Sequence, residues 1–158
     1  MHTASEPDLL STIRRIVLAL VLLGIVGLVP ELVLLKHTES VTQFIPFVVL
    51  GIGLASSVLV WFRPTRRGLR VFQSVMLLFI VVGLVGLYLH FRGNVEFEQE
   101  QDPSLHGAAL LWQALWGGIP TLAPGAMTQL GLLGLVFAYR HPLLRSAGAT
   151  PIPTREGP

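Results

Sequence analysis

Hydrophobic positions in this chain come in long unbroken runs separated by short charged segments. That is a membrane-spanning pattern, not the alternation of a half-buried strand or the narrow stripe of a soluble helix. The first run covers about 13–35; at ~1.5 Å per residue it reaches about 34 Å, enough to cross a ~30 Å hydrocarbon core with some tilt. Pro30 lies late in it and is expected to kink it. A polar loop, Lys36-His37-Thr38-Glu39-Ser40, follows. The second span covers 44–62, with Pro46 in its first turn, where a missing N–H does no harm. Phe44 and Phe47 mark one interface, Trp61 and Phe62 the other. An arginine-rich loop over 63–70 leads to a third span at about 71–91, and an acidic segment at 96–102 follows.

The region from Gly107 to Tyr139 carries no charge and is too long for one straight span. Gly117-Gly118, Pro120 and Pro124 divide it. Asp102, His106 and Gln113, spaced by four and seven, predict one polar stripe on a helix over about 103–116. Asp102 is its candidate cap and Pro103 its first residue. With Trp112 and Trp116 on the other side, such a helix lies in the membrane interface; a re-entrant dip is the alternative. The fourth span is then about 124–139. The expected fold is therefore all-α: an integral membrane four-helix bundle with an additional interfacial or re-entrant helix between spans three and four. It occupies 13–145, between a polar N-terminal tail (1–12) and a disordered C-terminal tail (146–158).

Charge orients the bundle. Nine of the eleven Lys and Arg residues (Arg14, Arg15, Arg63, Arg66, Arg67, Arg70, Arg140, Arg145 and Arg155) fall on one side of a four-span topology. Only Lys36 and Arg92 fall on the other. By the positive-inside rule both termini are cytoplasmic. Two spans in the 107–139 region would separate Arg140, Arg145 and Arg155 from the other arginines, a second reason to expect one. Ten of the eleven basic residues are Arg, the usage of a GC-rich bacterial genome, so the expected location is a bacterial inner membrane. The run after Arg14-Arg15 exceeds the roughly 7–15 residues of a signal h-region and reads as an uncleaved span.

Composition narrows the chemistry. Charged residues make up 13% of the 158 and mean hydropathy is +0.67, against about 25% charged in ordinary globular chains. The pI near 9.7 comes from arginines at the ends of apolar runs, not from a basic stripe interleaved with aromatics. That excludes nucleic acid as a partner. With no Cys, disulfides, thiolate metal sites and Cys nucleophiles are excluded too. No serine triad context, phosphate loop or dinucleotide fingerprint is present.

Two features remain. First, the outer side collects His37, His90, His106, Glu31 and Glu39, ligand types suited to a divalent metal or a haem, although at no motif spacing. Second, Gly24-Ile25-Val26-Gly27 followed by Glu31 repeats as Gly83-Leu84-Val85-Gly86 followed by His90. Offsets of three and seven put both glycines and the ionisable residue on one helical face, which should point into the bundle. Glu31 lies about 24 Å above Arg15 and His90 about 30 Å above Arg70, at ~1.5 Å per residue. A buried Glu31–His90 pair follows as an expectation, the simplest alternative being that both side chains snorkel. Gly131 and Gly134 in span four, and Gly51 and Gly53 in span two, extend the set of packing glycines.

The stretches ELVLLKHTESVTQFIPFVVLGIGL (31–54) and LAPGAMTQLGLLGLVFAYRHP (122–142) resemble small four-span bacterial membrane proteins known only from genome sequences. The resemblance covers under a third of the chain; it implies a four-span bundle and brings no activity and no functional residue. The leading expectation is a non-enzymatic assembly or interaction component. Its partners are the lipid bilayer and either a second copy or another membrane protein. A metal- or haem-binding redox protein is the alternative, and a transporter subunit using Glu31 and His90 as a proton relay is a third.

Overall fold

The computed structural model describes residues 6–120 and 122–145, and its regular structure is entirely helical among those residues. The order is α1 (Glu6–Leu34), a 3-10 turn (Val41–Phe44), α2 (Ile45–Phe62), α3 (Arg66–Gln101), α4 (Gly107–Leu115), α5 (Gly125–Ala138) and a single turn, α6 (Pro142–Arg145). Three segments are long and apolar enough to cross a membrane: Asp8–Leu34, Val41–Phe62 and Arg66–Gln101. Their surface is inverted relative to a soluble protein. Leu23, Val26, Leu59, Leu77 and Val81 face outward, whereas the buried polar side chains among the described residues are Ser56, Ser57 and Asn94. The two serine hydroxyls donate to Gly53 O at 3.0 and 2.7 Å, so α2 satisfies them itself. Apolar surface on this scale belongs against lipid.

The helices form a ring. α1 and α3 each pack on both α2 and α5, and neither diagonal pair brings Cα atoms within 8 Å among the described residues. Each helix supplies a seam at alternating spacings of three and four, the periodicity of left-handed helix packing. In α1 the seam is Leu18, Val21 and Ile25; in α2, Val49, Gly53, Ser56 and Val60. The α3 seam is longer: Leu69, Phe72, Met76, Phe79 and Gly83 are buried, and Gly86, His90 and Asn94 continue it. Its character changes along the helix, from bulky apolar groups to glycine to polar groups. Phe72 meets Phe137 of α5 edge-on at 5.5 Å between ring centroids.

Several boundaries differ from those the hydrophobic runs predict. α1 begins at Glu6 and continues through Pro30, so half of the expected N-terminal tail is helix. α3 begins at Arg66, where the Thr65 hydroxyl caps it by accepting from Gly68 N at 3.0 Å; Arg66, Arg67 and Arg70 are therefore in its opening turns and not in a loop. It then runs through the acidic segment to Gln101, 36 residues or about 54 Å, well beyond one membrane thickness. The helix expected over 103–116 is shorter, Gly107–Leu115, with His106 and not Asp102 at its cap position. Asp102 instead accepts from both N and Oγ of Ser104, at 2.9 and 2.6 Å. Those bonds hold its carboxyl below the usual carboxylate range and shape the turn that separates α3 from α4. The tail expected to be disordered, 146–158, lies outside the described residues.

α5 is the shortest of the four helices in the ring. Its 14 residues span about 21 Å, less than a ~30 Å hydrocarbon core. It is nevertheless the helix most extensively packed against α3. Glycines make that possible: a Cβ on Gly131 would stand 2.6 Å from Met76 O, and one on Gly134 would strike the Met76 side chain. The Cβ positions of Gly24, Gly53, Gly83 and Gly86 are likewise occupied, by Leu130, Phe79, Thr128 and Pro124 respectively. At Gly27 and Gly51 nothing lies within 4 Å. Spans one and three thus do not pack on each other through their shared glycine motif; Gly24, Gly83 and Gly86 all turn toward α5 or its approach.

The two rims of the ring differ. At one, Arg14 Nη2 donates to Arg140 O at 3.4 Å and Arg66 Nε to Leu143 O at 3.0 Å. The start of α1, the start of α3 and the end of α5 therefore meet there. A type II turn, with Arg140 at φ 49° and His141 N donating to Ala138 O at 3.2 Å, leads into α6. The opposite rim carries the end of α1, the start of α2, and the α3–α4 hairpin.

Candidate functional site

At that second rim the end of α1 determines where His37 goes. Lys36 adopts φ 51°, His37 N donates back to Leu32 O and Lys36 N to Val33 O, each at 3.0 Å. This paired arrangement ends the helix sharply and turns the chain over its own end. The His37 ring comes to 6.0 Å from the His90 ring, centroid to centroid, tilted by 44°. Burial, and then the neighbouring His90, hold the His37 imidazole below its ordinary pKa, so it is neutral at pH 7.

Both rings line a small cavity of about 70 Å³ on the diagonal between α1 and α3, walled by Leu28, Leu32, Val82 and Gly86. They also line a wider cleft of about 510 Å³, bounded by Gln43 and Ile119. Gln43 fixes the floor of its loop by accepting from Glu39 N and Ser40 N at 2.7 and 3.0 Å. Glu31 reaches the smaller cavity but is solvent-exposed. No ion pair joins it to His90, so the expected Glu31–His90 pair is replaced by a His37–His90 pair.

His90 has another partner. Its Nδ1 lies 3.0 Å from Pro120 O, and since a carbonyl only accepts, Nδ1 carries the proton. The bond matters because residues 117–120 and 122–124 are not helical and need partners for their backbone groups. Asn94, one turn further along the α3 seam and 1% exposed, supplies three more. Its Nδ2 donates to Ala114 O at 2.9 Å and Ile119 O at 2.7 Å, and its Oδ1 accepts from Ile119 N at 3.0 Å. One amide thereby secures the end of α4 and the chain beyond it against α3. Gly117 must be glycine for this, because a Cβ there would stand 2.6 Å from Asn94 Cγ. Sequence reasoning passed over Asn94, although the spacing Gly83, Gly86, His90 extends by four to reach it.

The five-residue ligand set expected on this side does not assemble. His37 and His90 come together with Glu31 nearby. Exposed His106 stands at the start of α4 and exposed Glu39 in the loop, and neither lines either cavity. Among the described residues no group of three or more His, Asp and Glu converges to hold one metal ion. The spread follows from the length of α3, which carries the acidic segment and α4 away from the His pair. Comparison with known proteins finds no matching family model, no matching curated relative and no matching solved structure. The fold and the site therefore rest on the residues of this chain alone.

Proposed function

We propose that the chain is a non-enzymatic component of a bacterial inner-membrane assembly, with four spans, both termini cytoplasmic and the α3–α4 hairpin presented outside to a partner membrane protein. The observation that carries this reading is the hairpin anchored by Asn94. Building a helix well past one membrane thickness and folding a second helix back along it makes sense where that projection is used. Phe97, Leu111, Trp112 and Trp116 are exposed on it. Its tip carries Glu96, Glu98, Glu100 and Asp102. The fourth crossing combines the segment before α5 with α5 itself, which accounts for a helix shorter than the membrane. The arginines Arg14, Arg15, Arg63, Arg66, Arg67, Arg70, Arg140 and Arg145 gather at the other rim, as the positive-inside rule requires.

A photo-cross-linking residue in place of Trp112, activated in living cells, tests this. A discrete adduct of higher mass, lost when Asn94→Leu is added, is the expected result. Free protein alone would contradict it. The His37–His90 pair, at 6.0 Å between ring centroids, favours a second reading, a metal- or haem-binding protein, tested by the metal content and visible spectrum of the protein purified in mild detergent. Stoichiometric metal or haem, lost in a His37→Gln/His90→Gln variant, would replace the assembly reading.

A further inference from the structure

The arginine rim holds a cleft of its own, about 450 Å³ in volume. Arg14, Arg15, Ser11 and His141 form its polar side, and Leu18, Val60 and Phe137 its apolar floor, with Trp61 at the edge. No acidic side chain lines it among the described residues. Arg14 uses one donor, on Arg140 O, and Arg15 is exposed with none engaged among the described residues. Two guanidinium groups therefore face a cavity that no acidic side chain lines among the described residues. His141 lines the same cleft, and burial, and then the positive charge of Arg14, hold its imidazole below the ordinary value.

From this arrangement we infer that the cleft is a binding site for the phosphate headgroup of an anionic membrane lipid. Guanidinium groups match phosphate oxygens with paired N–H donors. Volume is adequate, since ligand sites run from about 300 to 1,000 Å³. The apolar floor distinguishes a lipid from a free phosphate: glycerol and the first acyl carbons cover Leu18, Val60 and Phe137, which an inorganic ion would leave against water. Trp61 at the edge occupies the headgroup level that indole rings prefer. Basic clefts between helix ends are suited to such headgroups, each arginine near the surface contributing about 1 kcal/mol.

Trp61 also supplies the readout. The chain has three tryptophans, and replacing Trp112 and Trp116 by Phe leaves Trp61 as the reporter. The protein is reconstituted in phosphatidylcholine vesicles carrying a graded fraction of brominated lipid, either phosphatidylglycerol or phosphatidylcholine. Brominated phosphatidylglycerol is expected to quench Trp61 at a lower mole fraction, by about fivefold for each arginine engaged. Arg14→Gln/Arg15→Gln should abolish the difference, whereas Arg63→Gln, outside the cleft, should retain it. Circular dichroism before each titration selects folded protein, and the single Arg15→Gln variant, expected to lose part of the preference, replaces the double variant if that fails to fold. Equal quenching by the two lipids overturns the proposal. So does an equal loss in Arg63→Gln, which would mean diffuse surface charge. Displacement of phosphatidylglycerol by millimolar inorganic phosphate would assign the cleft to a free anion and overturn the lipid assignment.

Discussion

Asn94→Leu should release the α3–α4 hairpin while leaving the ring of α1, α2, α3 and α5 intact. The substitution keeps the branched shape of the side chain and removes three hydrogen bonds that it makes to Ala114 O, Ile119 O and Ile119 N. Each is worth about 1 kcal/mol net, and each buried backbone group left unpartnered costs about 1–3 kcal/mol. A loss of about 3–5 kcal/mol in the local opening free energy follows. Amide exchange across residues 110–119 should accelerate at least about a hundredfold, because local opening governs exchange there. Amides around Leu50, buried in α2, should be unaffected. Asn94→Asp separates shape from chemistry: a carboxylate matches the amide in size but cannot donate to Ala114 O or Ile119 O, so it should behave like leucine. Unchanged exchange in both variants would mean that the hairpin is held by something other than Asn94.

The second large effect is expected at Gly131. A methyl group there would stand 2.6 Å from Met76 O and 2.7 Å from Ile80 Cγ1. A backbone carbonyl cannot rotate aside, so α5 must separate from α3, the helix it packs against most. Gly131→Ala should cost about 1–3 kcal/mol, the range for overpacking, and Gly131→Val more. Gly134→Ala should cost less, because its main obstacle is the flexible Met76 side chain, which can find another rotamer. Gly51→Ala meets nothing within 4 Å and should be neutral or gain up to about 1 kcal/mol, as replacing a mid-helix glycine does. Denaturant unfolding in mixed micelles measures the order. Equal stabilities of Gly131→Ala and Gly51→Ala would remove glycine packing from the explanation of α5.

These two sites mark what was legible in the sequence. Hydrophobic runs locate the three helices long enough to cross a membrane and the shorter apolar helix α5, because lipid imposes a long uninterrupted pattern that loops cannot imitate. The second and fourth are placed within a residue or two: 44–62 against Ile45–Phe62, and 124–139 against Gly125–Ala138. The pattern locates hydrocarbon, however, and a helix need not end where hydrocarbon ends. That is why the extensions of α1 to Glu6 and of α3 to Gln101 were not visible. Glycine spacing indicated close packing but not the partner: Gly24 and Gly83 share a motif and both meet α5, while Gly27 within the same motif meets nothing. The histidines show the same limit. His37 reaches His90 only through the left-handed turn at Lys36, a position at which glycine is the usual residue. Glu31, placed at the depth of His90 by helical rise alone, reaches the same cavity but stays solvent-exposed and forms no ion pair with it. Asn94 was accessible in principle, since it continues the α3 seam by four residues, but one asparagine beside an acidic segment reads as loop until the helix is known to pass through it.

The central claim is that the fourth crossing is made by a short helix and the non-helical chain leading into it, with the hairpin outside and the arginine rim inside. Because the chain has no cysteine, single cysteines report sidedness without background. Cells expressing Arg67→Cys, Glu98→Cys or Arg145→Cys would be treated with a membrane-impermeant maleimide, intact and after permeabilisation. Labelling of Glu98→Cys in intact cells, with Arg67→Cys and Arg145→Cys reacting only after permeabilisation, is the predicted result. Labelling of Arg145→Cys in intact cells while Arg67→Cys stays protected would show that α5 does not complete a crossing, and would contradict the account.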